Sequence, residues 1–141
     1  MTRDEILALV KRRHVAWAAH DAVALAATHA EGGIAVSPLG GAQEGRAEIE
    51  GIYRRLFSAF PDIVLQQDEL LIDGDRVVLV ARLSGTHAGE FFGLAPTGRR
   101  MEFQAALLMT VADGLVVEER RIYDFTGVLV QVGVLKAKPV G

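Results

Sequence analysis

The stretch RVVLVARLSGTHAGEFFGLAPTGRRMEFQAALLMTV, residues 76 to 111, decides how this chain is read. Both of its ends, Arg76 to His87 and Arg100 to Val111, are runs of β-branched and large apolar residues of the kind that form strands. In the second run Met101, Phe103, Ala105, Leu107 and Met109 alternate with Arg100, Glu102, Gln104 and Ala106, which gives the strand one inner face. The segment from Gly85 to Gly98 that joins them carries glycines at 85, 89, 93 and 98, a histidine, paired phenylalanines and a proline. Loops usually sit in water and bury little. Phe91, Phe92, Leu94 and Pro96 therefore read as a rim folded over an apolar cavity, as a plug of core at the end of the sheet, or as a dimer contact.

Working outward, IVLQQDELLI before this stretch and LVVEERRIYDF after it are also strand-like. Asp73-Gly74 joins the first pair of strands and Asp113-Gly114 the last, both strong hairpin signals. Four strands thus form an antiparallel meander. Three helices precede it. TRDE at residues 2 to 5 is a capping box, and Ile6, Leu7, Val10, His14 and Trp17 follow at helical spacing to about residue 19. Asp21 caps a second helix, AVALAATHA, which EGG at 31 to 33 ends; GIAVS is a short strand and PLGGAQEG a loop. From Arg46, the positions Ile49, Ile52, Tyr53, Leu56, Phe57 and Phe60 mark a third amphipathic helix that stops before Pro61. TGVLVQVGVL after Asp124 is β-branched, but its place after the sheet predicts a short closing helix. The fold class is α+β: helices packed on a curved antiparallel sheet in a cone, one domain over residues 1–141.

Half of the 141 residues are apolar and the net charge is -3, which excludes a disordered chain and supplies no basic field for nucleic acid. There is no cysteine, and the four histidines, at 14, 20, 29 and 87, show no metal-binding spacing, so no metal is expected. The start MTRDEILALVKRRH is too charged for a signal peptide or membrane span, and a cytoplasmic protein is expected.

The segments GRAEIEGIYRRLFSAFPDI (45–63), GDRVVLVARLSGTHAGEFFGLAPTGRRMEF (74–103) and DGLVVEERRIYDFTGVLVQVGV (113–134) resemble the SnoaL-like polyketide cyclases of the nuclear transport factor 2-like superfamily. The resemblance covers nearly the whole chain, and GTHAGEFFGLAPTGRR is its most specific part. It implies a cystatin-like α+β cone, a homodimer paired through the outer face of the sheet, and an internal pocket for a small, largely apolar molecule. It further implies intramolecular aldol closure without cofactor or metal. Related members hydrolyse epoxides, isomerise ketosteroids or only bind.

Cofactor-free aldol chemistry needs a base beside a carbonyl and donors for the enolate oxygen. Asp124 is the candidate base, standing where the family carries the aspartate that ends W-x-x-x-D; it is equally readable as the N-cap of the closing helix. Arg120 occupies the family's tryptophan position and shares a face with Glu118, Ile122 and Asp124. If that face lines the cavity, Arg120 is an oxyanion donor or carboxylate clamp; if not, EERR forms ion pairs in water. Both parities of 118 to 121 are charged, so periodicity does not assign the inner face. His87 is a proton shuttle at the cavity mouth or a structural hydrogen bond to the loop. Trp17, Tyr53, Phe57, Met101 and Phe103 read as pocket wall or core, with Phe91 and Phe92 on the rim. His14, on the stripe of Trp17, is a further candidate, and Tyr53 carries a hydroxyl that can serve a substrate carbonyl.

The chain also departs from the family. The strand before the expected base, QAALLMT, offers Gln104 and Thr110 where the cyclases have a histidine, and Ile122 falls where the epoxide hydrolases need a carboxylate. Three readings follow: a cofactor-independent cyclase- or isomerase-type enzyme acting on an apolar carbonyl compound; a binding protein for a hydrophobic metabolite, or an epoxide hydrolase-like member; and a cone filled by its own side chains.

Overall fold

The computed structural model describes residues 1–136; residues 137–141, the tail of the expected domain, lie outside the described residues. Helix α1 (Arg3–Ala18) begins at the expected capping box: the Thr2 hydroxyl accepts from Glu5 N–H, and the Glu5 carboxylate accepts from Thr2 N–H. Its buried face is Ile6, Leu9, Val10, Arg13, Ala16 and Trp17. Leu7, expected on that face, is exposed, and His14 is half-buried. Asp21 caps α2 (Ala22–Ala27), which ends earlier than expected because His29 already starts strand β1 (His29–Ser37).

Part of the expected PLGGAQEG loop is strand β2 (Gly41–Glu44), antiparallel to β1. Helix α3 (Arg46–Ala59) buries Ile49, Ile52, Tyr53, Phe57 and Ala59. The meander follows as β3 (Val64–Asp73), β4 (Arg76–Thr86), β5 (Arg100–Ala112) and β6 (Leu115–Tyr123), closed by α4 (Phe125–Gln131). The sheet therefore has six strands, the four of the meander with the expected GIAVS strand (in β1) and β2, in the order β2-β1-β6-β5-β4-β3, with β1 parallel to β6. This is the α+β cone expected from the sequence, extended at one edge by a pairing between residues far apart in the chain. The Asp113-Gly114 turn has both residues at positive φ (52° and 79°), which matches the right-handed twist of β5 and β6.

One irregularity sets the geometry of the site. In β6, Val116 pairs with Val111 and Glu118 with Thr110, leaving Val117 as an extra residue. Val116 is buried; past the bulge the inner face continues through Glu119, Arg121 and Tyr123, opposite Met109, Leu107 and Ala105. A regular strand would have carried Glu118, Arg120 and Ile122 inward, since side chains alternate with period two. Instead those three are exposed on the outer face.

The loop between β4 and β5 is a plug and not a lid. Ala88 and Gly89 N–H both donate to Ala59 O at the end of α3, and a Cβ on Gly89 would run into the Ser58 carbonyl. Phe91 is buried edge-on against Phe60, while Phe92, at φ 49°, stands exposed beneath the Arg55 guanidinium. None of residues 85 to 99 lines the internal cavity described below.

Candidate functional site

The cavity lies inside the cone between α1, α3 and the inner face of the sheet. Half-buried Leu39, Leu56, Leu65, Phe103 and Tyr123 line it together with buried Arg13, Trp17, Tyr53 and Glu119. Its volume is about 60 Å³. Ordinary ligand pockets start at roughly 300 Å³, so most of the cone is filled by its own side chains.

A charged network underlies this apolar lining. Arg13 Nη2 donates to Glu119 Oε1 at 2.7 Å, and Arg121 Nε donates to Glu119 Oε2 at 2.6 Å. Glu119 is fully buried. Burial alone would raise its pKa, but Arg121 and Arg13 overrule that and hold it at about 2, so it is ionised at neutral pH. Arg13 also donates through Nη2 to Tyr53 Oη (3.3 Å) and through Nη1 to Thr28 Oγ1 (2.8 Å). The Arg121 guanidinium lies over the Tyr53 ring, 4.8 Å from its centroid, and its Nη2 is buried without a hydrogen-bond partner.

His29 lies behind Tyr53, its Nε2 3.2 Å from Arg13 Nη1 and 3.0 Å from Tyr53 Oη. A guanidinium only donates, so Nε2 is assigned as acceptor and the ring proton to Nδ1, which is buried without a partner. Burial lowers the His29 pKa to about 3, helped by Arg13, Arg121 and Arg46 and opposed by Glu119. The ring is neutral at pH 7. Burial raises the pKa of the Tyr123 phenol, offset in part by Arg121 and a hydrogen bond with Ser37. Tyr123 is therefore a proton donor at neutral pH.

Sequence reasoning had gathered a different set of residues. Trp17, Tyr53 and Phe103 line the cavity; Phe57 packs edge-on against Trp17; Met101 is buried in the core away from the lining. Asp124 caps α4, accepting from Gly127 N–H at 2.9 Å, and is exposed beside Ile122 and Gln104 on the outer side of the sheet. Arg120 is exposed on that same face, carried there by the bulge. His87 is buried against Phe60 and Phe91 with Nδ1 3.1 Å from Thr97 Oγ1, and holds the loop through backbone bonds with Gly98 and Arg99. His14 lies in a separate hollow, bonded to Gln67.

The missed residues are Arg13, His29, Glu119 and Arg121. One signal was available: Arg13 falls on the stripe Ile6, Leu9, Val10, Trp17 at the spacing of a buried face.

Among protein families, the model of the SnoaL-like polyketide cyclases matches residues 8–132. The chain belongs to the SnoaL-like polyketide cyclase family. Within it, the nogalonic acid methyl ester cyclase of Streptomyces nogalater is 32% identical over 87 residues. That match spans 62% of this chain and 63% of the cyclase, a little under two thirds of the relative's length. Solved structures share the fold of this family member throughout. AclR of Streptomyces galilaeus, a suggested hydroxylase, superposes with a TM-score of 0.84 at 27% identity, covering 99% of this chain and 87% of its own. A suggested SnoaL-like polyketide cyclase from Jannaschia sp. CCS1 gives 0.83 at 26% identity, over 96% and 94% of the two chains.

Proposed function

We propose that this family member is a cofactor-independent cyclase- or isomerase-type enzyme acting on a small, largely apolar carbonyl compound inside the cone. The observation that carries this reading is Arg121: a cavity-lining guanidinium, anchored through Nε, with a buried N–H left without a partner. Such a group in an apolar cavity suits an oxygen that gains negative charge as an enolate forms. Tyr123, protonated at neutral pH, is a second donor in the same lining.

Glu119 is the carboxylate in that lining and would be the proton acceptor. A carboxylate held at about 2 is a weak base, which matches a C–H already acidified by two flanking carbonyls rather than a simple ketone. The proton would pass from carbon to Glu119 as charge moves onto the oxygen at Arg121. Anything larger than a few heavy atoms requires lining side chains such as half-buried Leu39, Leu56, Leu65 or Phe103 to move. The family resemblance adds homodimerisation through the outer sheet face, testable by sedimentation.

The test is exchange of the methylene protons of acetylacetone in deuterated buffer, followed by NMR. The wild type should accelerate exchange, and Arg121→Met should lose the acceleration while Asp124→Asn keeps it. No acceleration by the wild type removes the reading. The small cavity favours a second reading, in which a ligand of few heavy atoms is bound and not turned over; binding without exchange would establish it.

A further inference from the structure

The charges facing the cavity do not balance. Arg13 and Arg121 are two guanidiniums against the single carboxylate of Glu119, and His29 behind them is neutral. Arg46, from α3, adds further positive potential by donating to the His29 carbonyl through Nε and Nη2. Among the described residues no other Asp or Glu lines the cavity. One positive charge is thus held in a mostly apolar enclosure, where an uncompensated ion is costly. Arg121 has a side chain only 13% exposed, so water does little to relieve it.

We propose that the cone recognises its occupant as a small monoanion, with a negatively charged oxygen set against the cavity-lining guanidinium of Arg121. This rests on the pocket of the proposed function and adds the charge of what enters it. Glu119 accepts from Arg13 through one oxygen and from Arg121 through the other, which neutralises one of the two guanidiniums, and the unused donor belongs to Arg121. The Tyr123 hydroxyl is a further polar group in the same lining. A cavity of about 60 Å³ limits an unforced occupant to a few heavy atoms. A carboxylate and the enolate of a 1,3-dicarbonyl present the same charged oxygen.

The experiment compares acetate with acetamide, matched in size and differing in charge, on the intact protein at neutral pH and low ionic strength. Trp17 is the sole tryptophan of the chain and lines the cavity, so its fluorescence and indole N–H resonance report occupancy. Acetate should bind at least about tenfold more tightly than acetamide and shift the Trp17 signals. The preference should vanish in Arg121→Met, persist in Arg121→Lys, and be unchanged in Arg120→Met. 1,3-Cyclopentanedione, which is an enolate at neutral pH, added as a third ligand, tells the two anion sources apart: tighter binding than acetate points to an enolate, weaker binding to a carboxylate. Equal affinity for acetate and acetamide, no binding of either anion, or binding that leaves Trp17 unperturbed would overturn the proposal. Should Arg121→Met fail to fold, the wild-type comparison and Arg121→Lys decide the matter. Anion binding without methylene exchange would leave this inference standing and remove the enzymatic reading; exchange without anion preference would do the reverse.

Discussion

Glu118 and Arg120 stand in water on the outside of β6, while Glu119 and Arg121, the same residue types one position on, are packed inside the cone. Nothing in their chemistry separates the two pairs. The difference lies in one extra residue, Val117, which exchanges the faces of everything after it. Outside, the charges are solvated and contribute little. Inside, the same charges meet Arg13 from α1 and Tyr53 from α3, and their fixed geometry becomes a site. Placement decides what an Arg–Glu pair does.

The sharpest way to break this contrast is to remove the carboxylate. Glu119→Ala leaves two buried guanidiniums without a counter-ion and should destabilise the fold by about 3–5 kcal/mol. Glu118→Ala should stay within about 0.5 kcal/mol. Urea denaturation of both variants measures the difference, and equal losses would mean that the bulge does not set the inner face. The next contrast is functional: Arg121→Met should reduce methylene exchange by about 100-fold, the usual cost of a lost oxyanion donor, and Arg120→Met should leave it within about twofold.

A smaller effect is read from pH. His29 has a folded pKa of about 3 against 6.5 unfolded. The unfolded chain therefore takes up a proton first as pH falls. Stability is fully present above 6.5 and declines toward 3, by about 1.4 kcal/mol per pH unit from this group. Glu119, also lowered, adds a loss between about 4.5 and 2. Chemical denaturation across pH should show the decline beginning near 6.5 in the wild type, and His29→Gln should flatten the limb between 6.5 and 4.5.

Much of this is legible in the sequence because it is local. The Thr2–Glu5 box, the Asp113-Gly114 turn, the end of α3 before Pro61 and the inner face Met101, Phe103, Ala105, Leu107 and Met109 each follow from a few neighbouring residues. What escaped is non-local. β2 exists through pairing with the end of β1, and β1 starts at His29 through its pairing with Val116 of β6. Arg13 is acceptable on a buried stripe only because Glu119 waits 106 residues away. The bulge at Val117 has no mark in the alternation of LVVEERRIY, and with both parities charged the sequence leaves the inner face open; Arg120 and Asp124 are outer. Asp124 shows the remaining ambiguity: a carboxylate at the end of a strand and a helix cap share one sequence pattern, and here the cap is formed.

The most direct test of the central claim needs no substrate. A carboxyl-carbon NMR titration of Glu119 in the intact protein should find it ionised down to about pH 2, clamped between Arg13 and Arg121. A midpoint near the ordinary 4.5 would place Glu119 in solvent, and the charged floor of the cavity described above would not exist.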